Sequence, residues 1–98
     1  MQPPSEADVV AATESLEVRR DLKLAQIATL RTLQACLGRS NPDDELTQAA
    51  SAYLGHLITE HRLDSEVLEA QIVHNNRIKA ALRSNLILPH IGARRPTN

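Results

Sequence analysis

The chain has almost no aromatic side chains from which to build a core. Tyr53 stands alone among 98 residues, with no Phe and no Trp. Whatever is buried must be Leu, Ile, Val and Ala. Aliphatic cores of this kind suit helix bundles, whereas strands favour aromatic and β-branched residues. The residue pattern agrees, since three helices are signalled and no strand is.

The first helix is predicted over residues 6–37. Ser5 can cap its N-terminus, with Asp8 returning the favour at the third helical position. Gly38 can stop it by taking the left-handed conformation. Leu16, Ile27, Leu30 and Leu37 share one face at 100° per residue. Arg19, Arg20 and Lys23 interrupt that face, so a break near residue 20 would give a fourth helix, with Asp21 recapping the second segment.

The second helix is predicted over 42–62. Asn41 is a favoured N-cap, and Pro42 at the first helical position lacks only an N–H that would be unpaired anyway. Asp43, Asp44 and Glu45 complement the positive end of the helix dipole. Leu46, Ala50, Tyr53 and Leu57 then form one apolar stripe.

The third helix is predicted over 65–87, capped by Asp64 or Ser65 and closed by Pro89. Val67, Leu68, Ile78, Ala81, Leu82 and Leu86 converge on one of its faces. The expected core is Leu16, Ile27, Leu30, Leu46, Tyr53, Leu57, Leu68, Ile78 and Leu82, with Cys36 as a small core residue.

The fold class is therefore all-α, a three-helix antiparallel bundle. Residues 1–88 form a single helical domain and residues 89–98 a flexible basic tail. Surplus apolar surface suggests that homodimerisation completes the bundle. Leu22, Ala25, Leu33 and Cys36 make a second apolar line on helix 1, and Leu54 and Ile58 lie off the main stripe of helix 2.

The net charge of −1 conceals a split. Residues 1–69 carry 12 acids and 6 bases, whereas residues 70–98 carry 5 bases and no acid. The picture is an acidic body with a basic C-terminal arm. No stretch reaches the ~18 apolar residues of a membrane span. The opening MQPPSEADVV has neither a basic segment nor an apolar run, so no secretory signal is expected there. With one cysteine there is no internal disulfide, and a reducing, cytoplasmic setting is expected.

Polar side chains interrupt the apolar arc of helix 3. Gln71, His74 and Asn75 lie on it, whereas Asn76, Arg77 and Arg83 point to water. An inward amide left unpaired costs ~1–3 kcal/mol, so these groups need partners. A buried polar residue in a helix–helix seam fixes register and partner choice. His74, Asn75 and Gln71 are therefore the candidate partner-binding residues, with Arg83, Arg94 and Arg95 for electrostatic contact.

Catalysis finds no support. No GxSxG, P-loop or Rossmann glycine run is present, and a thiol near a helix C-terminus, as at Cys36, is not activated. His56 and Glu60, four apart, are the only candidate metal ligands. Two are too few alone, so no metal or cofactor is expected. A helix-turn-helix would present Glu66 and Glu69 to DNA, which opposes phosphate. The expectation is a non-catalytic module that binds another protein as adaptor, regulator, inhibitor or chaperone. The alternatives are a nucleic-acid-binding accessory protein using the basic C-terminal region and, more remotely, a small metal-binding protein.

Overall fold

The computed structural model describes residues 4–92, with side chains as far as Ser84. It contains two helices, α1 over Glu6–Ser40 and α2 over Glu45–Gly92, joined by residues 41–44. The fold is all-α, and no strand occurs among the described residues. The architecture is a long antiparallel hairpin rather than a bundle of three or four short helices.

Each difference from the expected helices has a local cause. At the start of α1 the anticipated capping box forms. The Asp8 N–H donates to Ser5 Oγ at 3.1 Å and the Ser5 N–H to Asp8 Oδ2 at 3.2 Å. The break near residue 20 does not occur, because Arg20 and Lys23 have stems long enough to lie half-buried while their charged ends reach outward. Gly38 does not end α1. No described residue has positive φ, and the helix runs on to Ser40, where the Asn41 N–H closes it on the Leu37 carbonyl.

Asn41 thus caps the end of α1 rather than the start of α2. The start belongs to Asp44, whose Oδ2 accepts from the Thr47 N–H at 3.0 Å and from Thr47 Oγ1 at 3.1 Å. Pro42 lies in the connection, where its carbonyl accepts from Gln48 Nε2. The expected gap at 63–65 is absent. Neither Gly nor Pro stands there to break the helix, Ser65 Oγ donates back to the Arg62 carbonyl at 2.7 Å, and Asp64 pairs across to Lys23. With α2 continuous there is no helix-turn-helix. Nor does Pro89 stop α2, which continues to Gly92. A proline so close to a helix end removes one backbone bond with little left to disrupt. Residues 93–98 of the expected basic tail lie outside the described residues.

The two helices pack along a strict 3–4 repeat. In α1 the residues at positions 9, 13, 16, 20, 23, 27, 30, 34 and 37 are all buried or half-buried. In α2 the same holds for 47, 51, 54, 58, 61, 65, 68, 72, 75, 79 and 82. This is the 3.5-residue period of a coiled coil, with both sets at a and d positions. Cross-helix pairs fix the register. Gln34 meets Ser51, Lys23 meets His61 and Asp64, Arg20 meets Glu69, and Glu6 meets Arg83. Partners therefore lie at near-mirror positions about the 41–44 connection.

The core is narrower than expected, and over residues 46–58 of α2 it is displaced by one residue, whereas Leu68 and Leu82 lie in the seam as expected. The buried apolar side chains are Val9, Ile27, Ile58, Leu68 and Ile72, and none of the described side chains is fully enclosed. Leu54 and Ile58, expected off the stripe, are in the seam. Leu46 and Tyr53, expected in the core, are 80% and 62% exposed, and Cys36 and Val67 are also exposed. A single unbroken helix must commit one face along its whole length. The ladder Leu46–Ala50–Tyr53–Leu57, continued in register, meets the carboxylates Glu60 and Asp64 before it returns to Val67, Ile78 and Ala81. The ladder one residue on carries Leu54, Ile58, Leu68, Ile72 and Leu82 beside His61, Ser65, Asn75 and Lys79, with no carboxylate in it, and it is the one buried.

Two measurements test this packing. Ile72→Ala should cost about 2–4 kcal/mol in urea unfolding, whereas Val18→Ala, on the outer surface, should stay within about 0.5 kcal/mol. Gly38→Ala should stabilise by about 0.5–1 kcal/mol, because Gly38 is helical and a methyl there meets nothing within 4 Å. A loss at Gly38 would mean that the helix ends where glycine alone is tolerated.

Candidate functional site

Two flanks run beside the seam, and they differ in chemistry. Arg19 and Leu22 of α1 line an open groove of ≈ 410 Å³ together with Asp64, Val67 and Gln71 of α2 and the seam residues Lys23 and Leu68. Apart from those two seam residues they occupy c and g positions, so the c/g flanks of both helices form one side of the hairpin. A second hollow, bordered by Gly38, Gln48 and Ala52 near the connection, opens on the opposite side.

The first side is apolar. Nine large hydrophobic residues are exposed among those described, and five of them, Leu22, Leu33, Leu46, Tyr53 and Val67, stand on it. The opposite side carries Glu14, Glu17, Asp21, Glu66 and Glu69, with Arg31, Arg62 and Arg83 and the exposed Leu24 and Val73. Of the second apolar line expected on helix 1, Leu22, Leu33 and Cys36 stand on this side and Ala25 does not. On α2, Leu46 and Tyr53 stand exposed here rather than in the core, whereas Leu57 is half-buried. The signal that separates the two ladders is the 3–4 repeat sustained across residues 47–82.

Polar groups within the seam are largely partnered. Arg20 Nη1 donates to Glu69 Oε2 at 2.8 Å, and its Nε and Nη2 both reach Asp21 Oδ1. The hydrogen bonds it donates to Glu69 and then Asp21 raise the arginine above its ordinary pKa. The shift favours the charged guanidinium in the folded chain, and that part of the contact is lost only as alkali deprotonates the arginine. Lys23 Nζ lies 3.2 Å from Asp64 Oδ2 and 3.3 Å from His61 Nδ1. Gln34 Nε2 donates to the Ser51 carbonyl at 2.9 Å, and Thr13 Oγ1 to the Val9 carbonyl at 2.7 Å. Gln26 Oε1 is buried without a partner.

The structure separates the residues singled out from the sequence. Asn75 is half-buried at a seam position. His74 and Gln71 are exposed on the apolar side rather than turned inward, and Asn76 is exposed away from them. Arg83 lies at the open end of the hairpin, its guanidinium paired with Glu6. Arg94 and Arg95 lie outside the described residues. His56 Nε2 and Glu60 Oε1 are 3.1 Å apart on exposed turns of α2. No group of three or more His, Cys, Asp or Glu side chains is placed to hold a metal among the described residues. No described helix is long and apolar enough to cross a membrane.

Compared with protein families, with curated proteins and with solved structures, the chain matches none.

A polar residue at a seam position exchanges stability for register, and Asn75 is where that exchange can be measured. Asn75→Leu should raise the urea midpoint and broaden the range of masses seen in sedimentation velocity. A lower midpoint would show that Asn75 holds the hairpin together rather than aligning it.

Proposed function

We propose that the chain is a non-catalytic helical interaction module that works by assembly, of the adaptor, regulator, inhibitor or chaperone type. It forms a homodimer and recruits a second protein through its basic C-terminal segment. A lone exposed thiol such as Cys36 suits a reducing setting, and we place this work in the cytoplasm.

The observation that carries the reading is the asymmetry between the two flanks. Leu22, Leu33, Leu46, Tyr53 and Val67 crowd one side while the carboxylates hold the other. An apolar strip of this extent on a small protein marks an interaction surface. Arg20, Lys23, His61 and Gln34 of the seam are engaged with side chains or backbone, and His56 and Glu60 alone make a poor metal site, so binding accounts for the arrangement better than chemistry does.

Nucleic-acid binding is the competing reading, and it rests on the same C-terminal bases. Against it, Lys79 is half-buried in the seam and Arg83 is engaged by Glu6, which leaves less positive charge free to meet phosphate. Capture on the immobilised full chain separates the two. A protein partner should be retained and should be lost on the double substitution Arg94→Glu and Arg95→Glu. Retention of nucleic acid whose affinity falls steeply with salt would favour the competing reading, and retention of neither would overturn both.

A further inference from the structure

We infer that His61 is a pH-operated switch within the seam. The hairpin holds its ring neutral, and protonation of the ring drives Lys23 off it and loosens the contact between α1 and α2.

The chemistry of the contact assigns the state of the ring. Lys23 Nζ lies 3.3 Å from His61 Nδ1. An ammonium has three donors and no acceptor, so Nδ1 is the bare, accepting nitrogen and the proton of the neutral ring sits on Nε2. The other partner of Lys23 is Asp64, whose Oδ2 is 3.2 Å away. Lys23 thus ties the helices together through one charged acceptor and one neutral one. A proton added at Nδ1 turns the neutral acceptor into a donor and sets a cation against a cation.

Position makes the fold feel that change. His61 and Lys23 are both half-buried seam residues. Ile27 and Ile58 lie buried on the bend side of this layer, and Leu68 and Ile72 lie buried on the open-end side. The layer therefore joins two apolar stretches of the seam, so repulsion within it acts between the helices. Lys23 and Asp64 also line the groove beside the seam, and release of Lys23 from the ring alters the charge presented there.

The surrounding charges do not offset the repulsion. On α1, Arg20 stands one turn from Lys23, and Arg19 lines the same groove. On α2, Arg62 follows His61 directly. Among the carboxylates, Glu69 is held by Arg20, and Glu60 lies 3.1 Å from His56 Nε2. Asp64, the acid in contact with the pair, is already engaged by Lys23, and its side chain is 58% exposed. Water screens its pull on a protonated ring. Because the fold keeps the neutral ring, the contribution is present at neutral pH and above. It is lost on acidification through the range in which imidazole takes up a proton, about pH 8 to 5.

The test compares urea unfolding of the full chain at about pH 8 and about pH 5. The wild-type midpoint should fall by about 0.5 M more than that of His61→Gln, whose side chain is uncharged at both. Comparing the two chains removes the titrations they share, those of the other histidines and of the carboxylates. Lys23→Gln should shrink the fall likewise, because no ammonium then faces the ring. Nitrogen NMR of the isotope-labelled wild type gives a readout that needs no substitution. At the higher pH, His61 should carry its proton on Nε2, with Nδ1 bare. Equal falls in wild type and His61→Gln would overturn the inference, as would a fall in Lys23→Gln as large as the wild type's. So would a His61 ring protonated on Nδ1 at the higher pH.

Discussion

Everything in this molecule depends on a seam that repeats every 3.5 residues. Within it, aliphatic side chains supply the adhesion, and polar ones are tolerated because each finds an exit or a partner. Ile27, Ile58, Leu68 and Ile72 are spaced along it rather than gathered in a centre. Between them Arg20 and Lys23 bury stems and export charge to Glu69, Asp21 and Asp64. An arginine or lysine mid-seam would be costly if enclosed, and a two-helix seam never encloses it. The same openness leaves the hairpin's burial incomplete.

That openness also explains which parts of the fold were legible in the residues alone. Helical class followed from the missing aromatics and the 3–4 spacing of Leu and Ile. The Ser5–Asp8 capping box was readable because caps are local chemistry. Helix continuity was not. Asp64 and Ser65 resemble a start signal, yet nothing before them stops the helix, and a capping residue inside an unbroken helix simply bonds elsewhere, as Ser65 does to Arg62. Likewise Gly38 has the composition of a terminus but no need of positive φ, so it remains helical.

The choice between two apolar ladders one residue apart on α2 was decided by distance rather than by local hydrophobicity. Over residues 46–57 the exposed ladder is the more apolar of the two. Beyond Leu57 it meets the carboxylates Glu60 and Asp64 where the buried ladder meets His61 and Ser65, and reading a break at residue 63 conceals that difference. The candidate site inherited the error. Leu46 and Tyr53 fit an interior stripe of a short helix, yet in the continuous α2 they stand exposed on the same side as Leu22 and Val67. Asn75 was placed correctly because seam position depends on spacing, whereas His74, its neighbour, falls one step round the helix and into solvent.

The mirror arrangement of contacts about the four-residue connection has a kinetic consequence. Next to the connection, cross-helix partners such as Gln34 and Ser51 are 17 residues apart, whereas at the open end Glu6 and Arg83 are 77 apart. Once the first turns flanking Pro42 have met, each further layer closes only the small loop left by the layer before it, so chain-closure entropy is incurred essentially once. Such a molecule zips from the bend outward and frays from the free ends inward. Sequence changes near the bend should therefore govern how fast the structure appears, and those near Glu6 and Arg83 how often its ends come apart.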